Sequence, residues 1–214
     1  MKVTLINYSQ TGDGKNLLEQ VAYAARVSNP SNQHNNETAE KLVRYLIKNK
    51  HWSPLEMVNV CLEIETTRDI ARQILRHRSF SFQEFSQRYA DASQLGFEVR
   101  EARLQDLKNR QNSIETDNLE LQEKWDYIQT VVMNQIKTYY EWALENGIAK
   151  EQARSILPEG MTKSRMYMNG TLRSWIHYIQ IRSGIETQKE HREVALACVD
   201  VIESIFPIIT EFIK

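Results

Sequence analysis

The sequence predicts an α+β fold, a single domain in which an antiparallel sheet packs with long helices. Three observations carry this expectation. In 58–65, Val58, Val60, Leu62 and Ile64 face one way while Asn59, Cys61, Glu63 and Glu65 face the other, the alternation of a strand with one buried and one wet face. In 116–145, Leu121, Trp125, Ile128, Val132, Ile136, Tyr139 and Ala143 keep one apolar stripe at helical spacing. A chain of 214 residues supports one sizeable core, and no low-complexity linker marks off a second.

The elements follow in order. Residues 2–7 alternate weakly around Val3, Leu5 and Tyr8, giving a short strand that Thr11-Gly12-Asp13-Gly14 interrupts. From Leu17 the spacing is helical, through Val21, Ala24 and Ala25, and it stops ahead of Pro30, since the residue before a proline disfavours helix. A second helix covers 37–48, with Ala39, Leu42, Val43 and Leu46 in its stripe. His51 to Glu56 is an irregular connector, because Pro54 donates no backbone bond.

After the 58–65 strand, Thr67 is placed to cap a helix with Asp69 in its first turn. Ile70, Ala71, Ile74 and Leu75 form its apolar face, and Arg68, Arg72 and Arg76 form a polar edge expected to point at a ligand. A strand is expected in 95–104 around Phe97 and Val99, then a polar loop through Asn109, Gln111, Asn112 and Ser113. The 116–145 helix closes at Asn146-Gly147, and its stripe is expected to be core. A short helix over 149–156 stops at Pro158, and 161–168 alternates as another strand. A helix opens at Gly170 and runs to Ser183; a last one starts near Thr187 and buries Val194, Cys198, Val201, Ile202 and Ile205 before Pro207.

Charge and cysteine usage narrow the function. With 27 Lys and Arg against 28 Asp and Glu the net charge is −1, so no global field favours nucleic acid or an anionic membrane. Cys61 and Cys198 both lie in apolar patterns and read as buried thiols in a reducing compartment. The N-terminal residues turn polar at once, and no apolar run approaches the roughly 20 residues that span a bilayer, so a soluble, cytoplasmic protein is expected. Gly-rich dinucleotide and P-loop signatures are missing, and the five histidines show no metal-ligand spacing, so no metal is expected.

The densest polar chemistry lies in 73–89. Arg76, His77 and Arg78 are adjacent, Arg88 follows, and Ser79, Ser81, Gln83, Glu84, Ser86 and Gln87 lie between. Guanidinium forks match phosphate oxygens in pairs, while hydroxyls, amides and a carboxylate read other polar edges. The same residues also suit a solvated basic helix end that complements the helix dipole. A third possibility is a nucleic-acid-binding module, with Arg76, Arg78 and Arg88 on phosphates and Phe85 and Tyr89 stacked on bases.

The spacing of Arg76, His77, Arg78, Ser81, Ser86 and Arg88 resembles the signature of the flavin-dependent thymidylate synthases. Ala24 to Ser28, the His51-x-Ser-Pro-x-Glu56 block, Ala153-Arg154-x-x-Leu-Pro158 and the Arg173 to Arg182 helix resemble further blocks of that family in its order. The resemblance implies that Ser53, Arg76, His77, Arg78, Glu84, Thr171, Arg173 and His177 bind FAD. It implies that Gln73, Arg76, Glu84, Phe85, Ser86, Gln87, Arg88, Arg154 and Arg182 surround dUMP, with Arg182 catalytic through ionisation at N3 of uracil. It implies methylation of dUMP to dTMP with 5,10-methylenetetrahydrofolate as carbon donor, reduced FAD as hydride donor and NADPH as reductant of the flavin. Thr171 stands where the family commonly has Asn, and Glu186 where some members have His.

Helix geometry adds one expectation. At about 100° per residue Arg173 and His177 share a face, while Arg182 lies roughly 140° from His177. Either the helix is interrupted or its two faces serve different pockets. The second case agrees with the homotetramer the resemblance implies, with sites shared between subunits.

Overall fold

The computed structural model describes residues 1–214. Four strands, β1 (Lys2–Tyr8), β2 (Asn59–Thr67), β3 (Ser81–Glu84) and β6 (Lys163–Thr171), form one sheet in the order β1-β2-β6-β3, and every neighbouring pair is antiparallel. Between them in sequence, β4 (Arg103–Gln105) and β5 (Ser113–Glu115) make a separate hairpin. The helices are α1 (Leu17–Ala25), α2 (Ala39–Lys48), α3 (Arg68–Ile74), α4 (Leu119–Glu145), α5 (Lys150–Ala153), α6 (Leu172–Arg182) and α7 (Lys189–Glu203).

Alternation decides which face of the sheet is wet. Val60, Leu62 and Ile64 on β2 and Met166 and Met168 on β6 are buried against Leu17, Val43, Ile74, Trp175, Ile179, Val194, Cys198 and Ile202 from the helices. The opposite face carries Glu63 and Glu65, and Arg165 donates to Glu65 at 2.6 Å across the β2–β6 ladder. Burying these apolar side chains stabilises each by about 1.5–3 kcal/mol and fixes register, because a one-residue slip would turn the whole set to water. Asn16 caps α1 in a reciprocal box with Glu19. No helix is long and apolar enough to cross a membrane.

Three expectations change. The 95–104 strand is reduced to one bridge, Phe97 to Thr162, before β4 begins at Arg103, and the polar loop after it is the turn of the β4–β5 hairpin. Thr67 caps α3 without bonding its backbone: its hydroxyl donates to Asp69 at 2.7 Å, while the Arg68 and Asp69 amides donate to the carbonyls of Thr162 and Glu159. The α4 stripe is not core in this chain. Leu121, Trp125, Ile128, Val132 and Tyr139 are exposed; Ala143 alone of that stripe is buried, packed with Tyr140 against Ala92 and Ala153.

Candidate active site

The turn that ends α3 builds the site. The amides of Arg76 and His77 donate to the carbonyls of Gln73 and Ile74, and the Phe80 amide donates to His77. Phe80 lies flat across Gly170, where a Cβ would sit 2.4 Å from its ring, and meets Trp175 edge-on at 4.9 Å between centroids. Ser174 donates its hydroxyl to the Ser79 carbonyl at 3.1 Å, which ties the turn to α6. Thr171 caps α6 by accepting from the Ser174 amide at 3.2 Å.

Arg76, His77 and Arg78 therefore face Arg173 and His177 across a cavity of about 570 Å³, also lined by Trp52, Glu56 and Gln180. Three guanidiniums and two imidazoles meet one carboxylate there, and Glu56 is already paired with Arg173. Such a lining suits an anionic ligand with polar edges. Ser53 shares the 3-10 turn of Glu56, but neither it nor Thr171 lines the cavity, and the Thr171 hydroxyl is engaged in its cap.

His77 is the hinge of the arrangement. Arg182 Nε donates to His77 Nε2 at 2.9 Å. Burial, and then the charges of Arg182 and His177, lower the His77 pKa to about 4, so the ring is neutral at pH 7 and carries its proton on Nδ1. The helix is not interrupted: α6 runs unbroken from Leu172 to Arg182. Its two faces serve one neighbourhood: His177 lines the cavity, and Arg182 bonds His77, which lines it too.

The remaining expected residues gather elsewhere. Glu84 accepts from Arg72 at 3.0 Å and from the Ser164 hydroxyl at 2.8 Å. Phe85 donates its amide to the Arg165 carbonyl. Ser86 accepts from the Arg88 amide at 3.4 Å, Arg88 pairs with Glu151 of α5, and Lys150 holds the Tyr89 carbonyl. Arg154 begins the 3-10 turn directly after α5. Gln87 is 3% exposed and its Nε2 has no partner, a buried donor that a ligand or a neighbouring chain would satisfy. None of Glu84 to Arg88, nor Arg154, lines the 570 Å³ cavity. The expected residues thus fall into two separate groups in one chain.

The polar edge of α3 is corrected as well. Arg68, 7% exposed, pairs with Glu84 and Glu159, and Arg72 pairs with the same two carboxylates. These arginines hold Glu84 in place; of the three, only Arg76 reaches the cavity. Sequence reasoning also missed His191, fully buried on α7, whose ring nitrogens lie 3.2 Å from Gln73 Oε1 and 3.1 Å from the Tyr178 hydroxyl. A signal existed, since His191 precedes Val194 and Cys198 on the apolar stripe of α7, where a polar ring requires partners.

The family model described as thymidylate synthase complementing protein matches residues 4–208. A "Flavin-dependent thymidylate synthase" of Synechocystis is 53% identical over 188 residues, 87% of this chain and 85% of the relative. The chain belongs to the flavin-dependent thymidylate synthase family. A "Probable flavin-dependent thymidylate synthase" of Paramecium bursaria Chlorella virus 1 is 50% identical over 200 residues, covering 93% of this chain and 92% of the relative. A UMP/dUMP methylase, PolB, from Streptomyces cacaoi, solved with 5-Br dUMP, shares the fold with a TM-score of 0.79 at 24% identity, over 99% of this chain and 93% of its own. In this flavin-dependent thymidylate synthase family member, the cavity-lining Arg76, His77 and Arg78 open the motif that continues through Ser81 and Ser86 to Arg88.

Proposed function

We propose that this enzyme methylates dUMP reductively to dTMP, with FAD held by the cavity at Arg76, His77, Arg78, Arg173 and His177. The observation that carries the reading is the charge imbalance of that cavity: three guanidiniums face it beside a single, already paired carboxylate. That donor set fits a dinucleotide with a diphosphate and hydrogen-bonding ring edges. FAD held by these residues would supply, once reduced, the hydride that makes the transferred methylene a methyl. In this reading 5,10-methylenetetrahydrofolate would give the carbon and NADPH would be the reductant, and uracil C5 would gain the carbon as it loses its proton.

The chain's own residues bind, orient and polarise. Arg182 is the catalytic residue. Its Nε is taken up by His77, which leaves its two Nη groups to face the N3 edge of uracil, favour ionisation there and enrich C5 electronically. Gln73 and Arg76 approach the nucleotide from one half-site, and Glu84 to Arg88 with Arg154 approach it from the other. Two half-sites in one chain, together with the exposed α4 stripe, support a homotetramer that shares its sites between subunits.

The test is spectroscopic and chemical. Purified protein is expected to carry or take up FAD, to bleach with NADPH, and to form dTMP from dUMP and methylenetetrahydrofolate. A colourless protein that refuses FAD and binds oligonucleotides would instead favour the nucleic-acid-binding module.

A further inference from the structure

A chain of side-chain hydrogen bonds runs beneath the site and has one possible direction. Glu190 is its anchor. Burial opposes ionisation of its carboxyl, but its own backbone amide, the Gln188 amide and the nearby Arg100 and Arg103 hold its pKa below the ordinary value, so it is a carboxylate and only accepts. Gln188 Nε2 donates to it at 2.9 Å, which leaves Gln188 Oε1 to accept from Gln73 Nε2 at 2.8 Å. Gln73 Oε1 must then accept, so His191 Nδ1 carries the proton across 3.2 Å. His191 Nε2 is left as an acceptor, and the fully buried Tyr178 phenol donates to it at 3.1 Å. Each group has one role because the next is already committed.

We propose that His191 and Tyr178 are positioning residues that close the far end of this chain: Gln188 sets which way the Gln73 carboxamide lies, and His191 Nδ1–H holds its Oε1 there, so that Gln73 presents its second Nε2 hydrogen to an acceptor oxygen of the nucleotide. Gln73 sits in the last turn of α3, three residues before Arg76, and its amide is only half-buried. A glutamine free to flip presents a donor and an acceptor in turn. One held between Gln188 and His191 discriminates, because a nucleotide donor group would face a donor and both would be left unpaired. No sequence motif marks His191.

This inference rests on the dUMP reading of Gln73, and its test separates the two. In the FAD-loaded full chain labelled with 15N-histidine, His191 is expected as the Nδ1–H tautomer at pH 7; an Nε2–H tautomer overturns the relay whatever the protein binds. Calorimetry with dUMP supplies the second arm. H191L is expected to weaken dUMP about tenfold, while H191N, which keeps a donor at the Nδ1 position, stays within about threefold of wild type. Y178F releases the tautomer and is expected to lie between them. In a Q73A background H191L should add no further loss, because its effect passes through Gln73. Unchanged affinity in H191L, or a full additive loss in Q73A/H191L, would mean that the ring only packs. Failure of the wild type to bind dUMP overturns the functional reading, and the tautomer then decides the relay alone.

Discussion

Arg182 Nε and His77 Nε2 are joined by a hydrogen bond of 2.9 Å, although the two residues come from opposite ends of the motif architecture and Arg182 lies around α6 from His177. The bond sets the state of both partners. His77 stays neutral, and Arg182 keeps one fixed orientation. R182M is therefore expected to raise the His77 pKa from about 4 toward its ordinary value, because a neighbouring cation is removed, although burial, the larger cause, remains. NMR titration of the histidine ring reads this directly. The same variant should lose roughly 100-fold or more in kcat/KM, the size of effect seen when one preorganised donor is removed. A His77 pKa unmoved in a folded R182M protein would show that the charge does not reach the ring.

The motif turn depends on a residue that has no side chain. Gly170 leaves room for Phe80, and an added methyl would sit 2.4 Å from its ring carbon. Phe80 is boxed in by Trp175 at 4.9 Å and Tyr178 at 6.1 Å, so it cannot swing aside cheaply. G170A is expected to destabilise the fold by about 1–3 kcal/mol, as overpacked cores do, and to weaken FAD binding by displacing Ser79 and Arg78. Urea unfolding with flavin retention checks both. Wild-type values for each would mean that the backbone yields without cost.

Much of this architecture was legible because burial of one face writes a pattern. In β2 and β6, alternation of Val60, Leu62 and Ile64 with Cys61, Glu63 and Glu65 reports the sheet's two environments. Strand β3 wrote almost nothing: Ser81-Phe82-Gln83-Glu84 is short and polar, and its partners on β6 lie more than eighty residues on. Periodicity in α4 announced an apolar face correctly but could not say whether this chain or a neighbour covers it. For the site, Arg76, His77 and Arg78 were legible in the motif, and Arg173 and His177 in the Arg173 to Arg182 block. Arg68 and Arg72 were misread because an arginine on a helix edge looks the same whether it awaits a ligand or, as here, grips Glu84.

The exposed α4 stripe leads to a prediction about assembly. Trp125, Ile128 and Val132 are each 41% exposed on successive turns of one helix, an apolar seam that a lone chain would leave wet. I128E/V132E is expected to lower the sedimenting mass toward that of one chain. If the half-sites are completed by partners, turnover should fall with it while the fold, followed by circular dichroism, persists. An assembly of unchanged mass would place the contact elsewhere.

Neither thiol is built for nucleophilic work. Cys198 is fully buried and its pKa is pushed far up, and burial also raises that of Cys61 on the outer face of the sheet. Raised thiols supply little thiolate at pH 7, so C61S/C198A is expected to retain turnover within about threefold. Alanine is chosen at 198 because a hydroxyl there would be buried without an assured partner. Loss of turnover in a folded double variant would contradict a mechanism that lacks an attacking cysteine.

Acid sensitivity should trace largely to two rings before it reaches the carboxylates. Burial, and then the charges of Arg182 and His77, lower the His191 pKa to about 3, and His77 is lowered to about 4. A histidine whose folded pKa lies below its unfolded value of about 6.5 takes up protons more readily when unfolded. Its contribution is therefore complete above pH 6.5 and is lost progressively as pH falls toward 3. For fully buried His191 the linkage relation gives a loss of about 2 kcal/mol between pH 7 and pH 5. Carboxylates held low, such as Asp69 and Glu190, release their share mainly below that window. Unfolding free energies from denaturant titration at the two pH values are expected to differ less in H191L than in wild type by that amount, whatever the absolute stability of the variant. Equal slopes would mean that the ring is already protonated, or is not buried, in the folded protein.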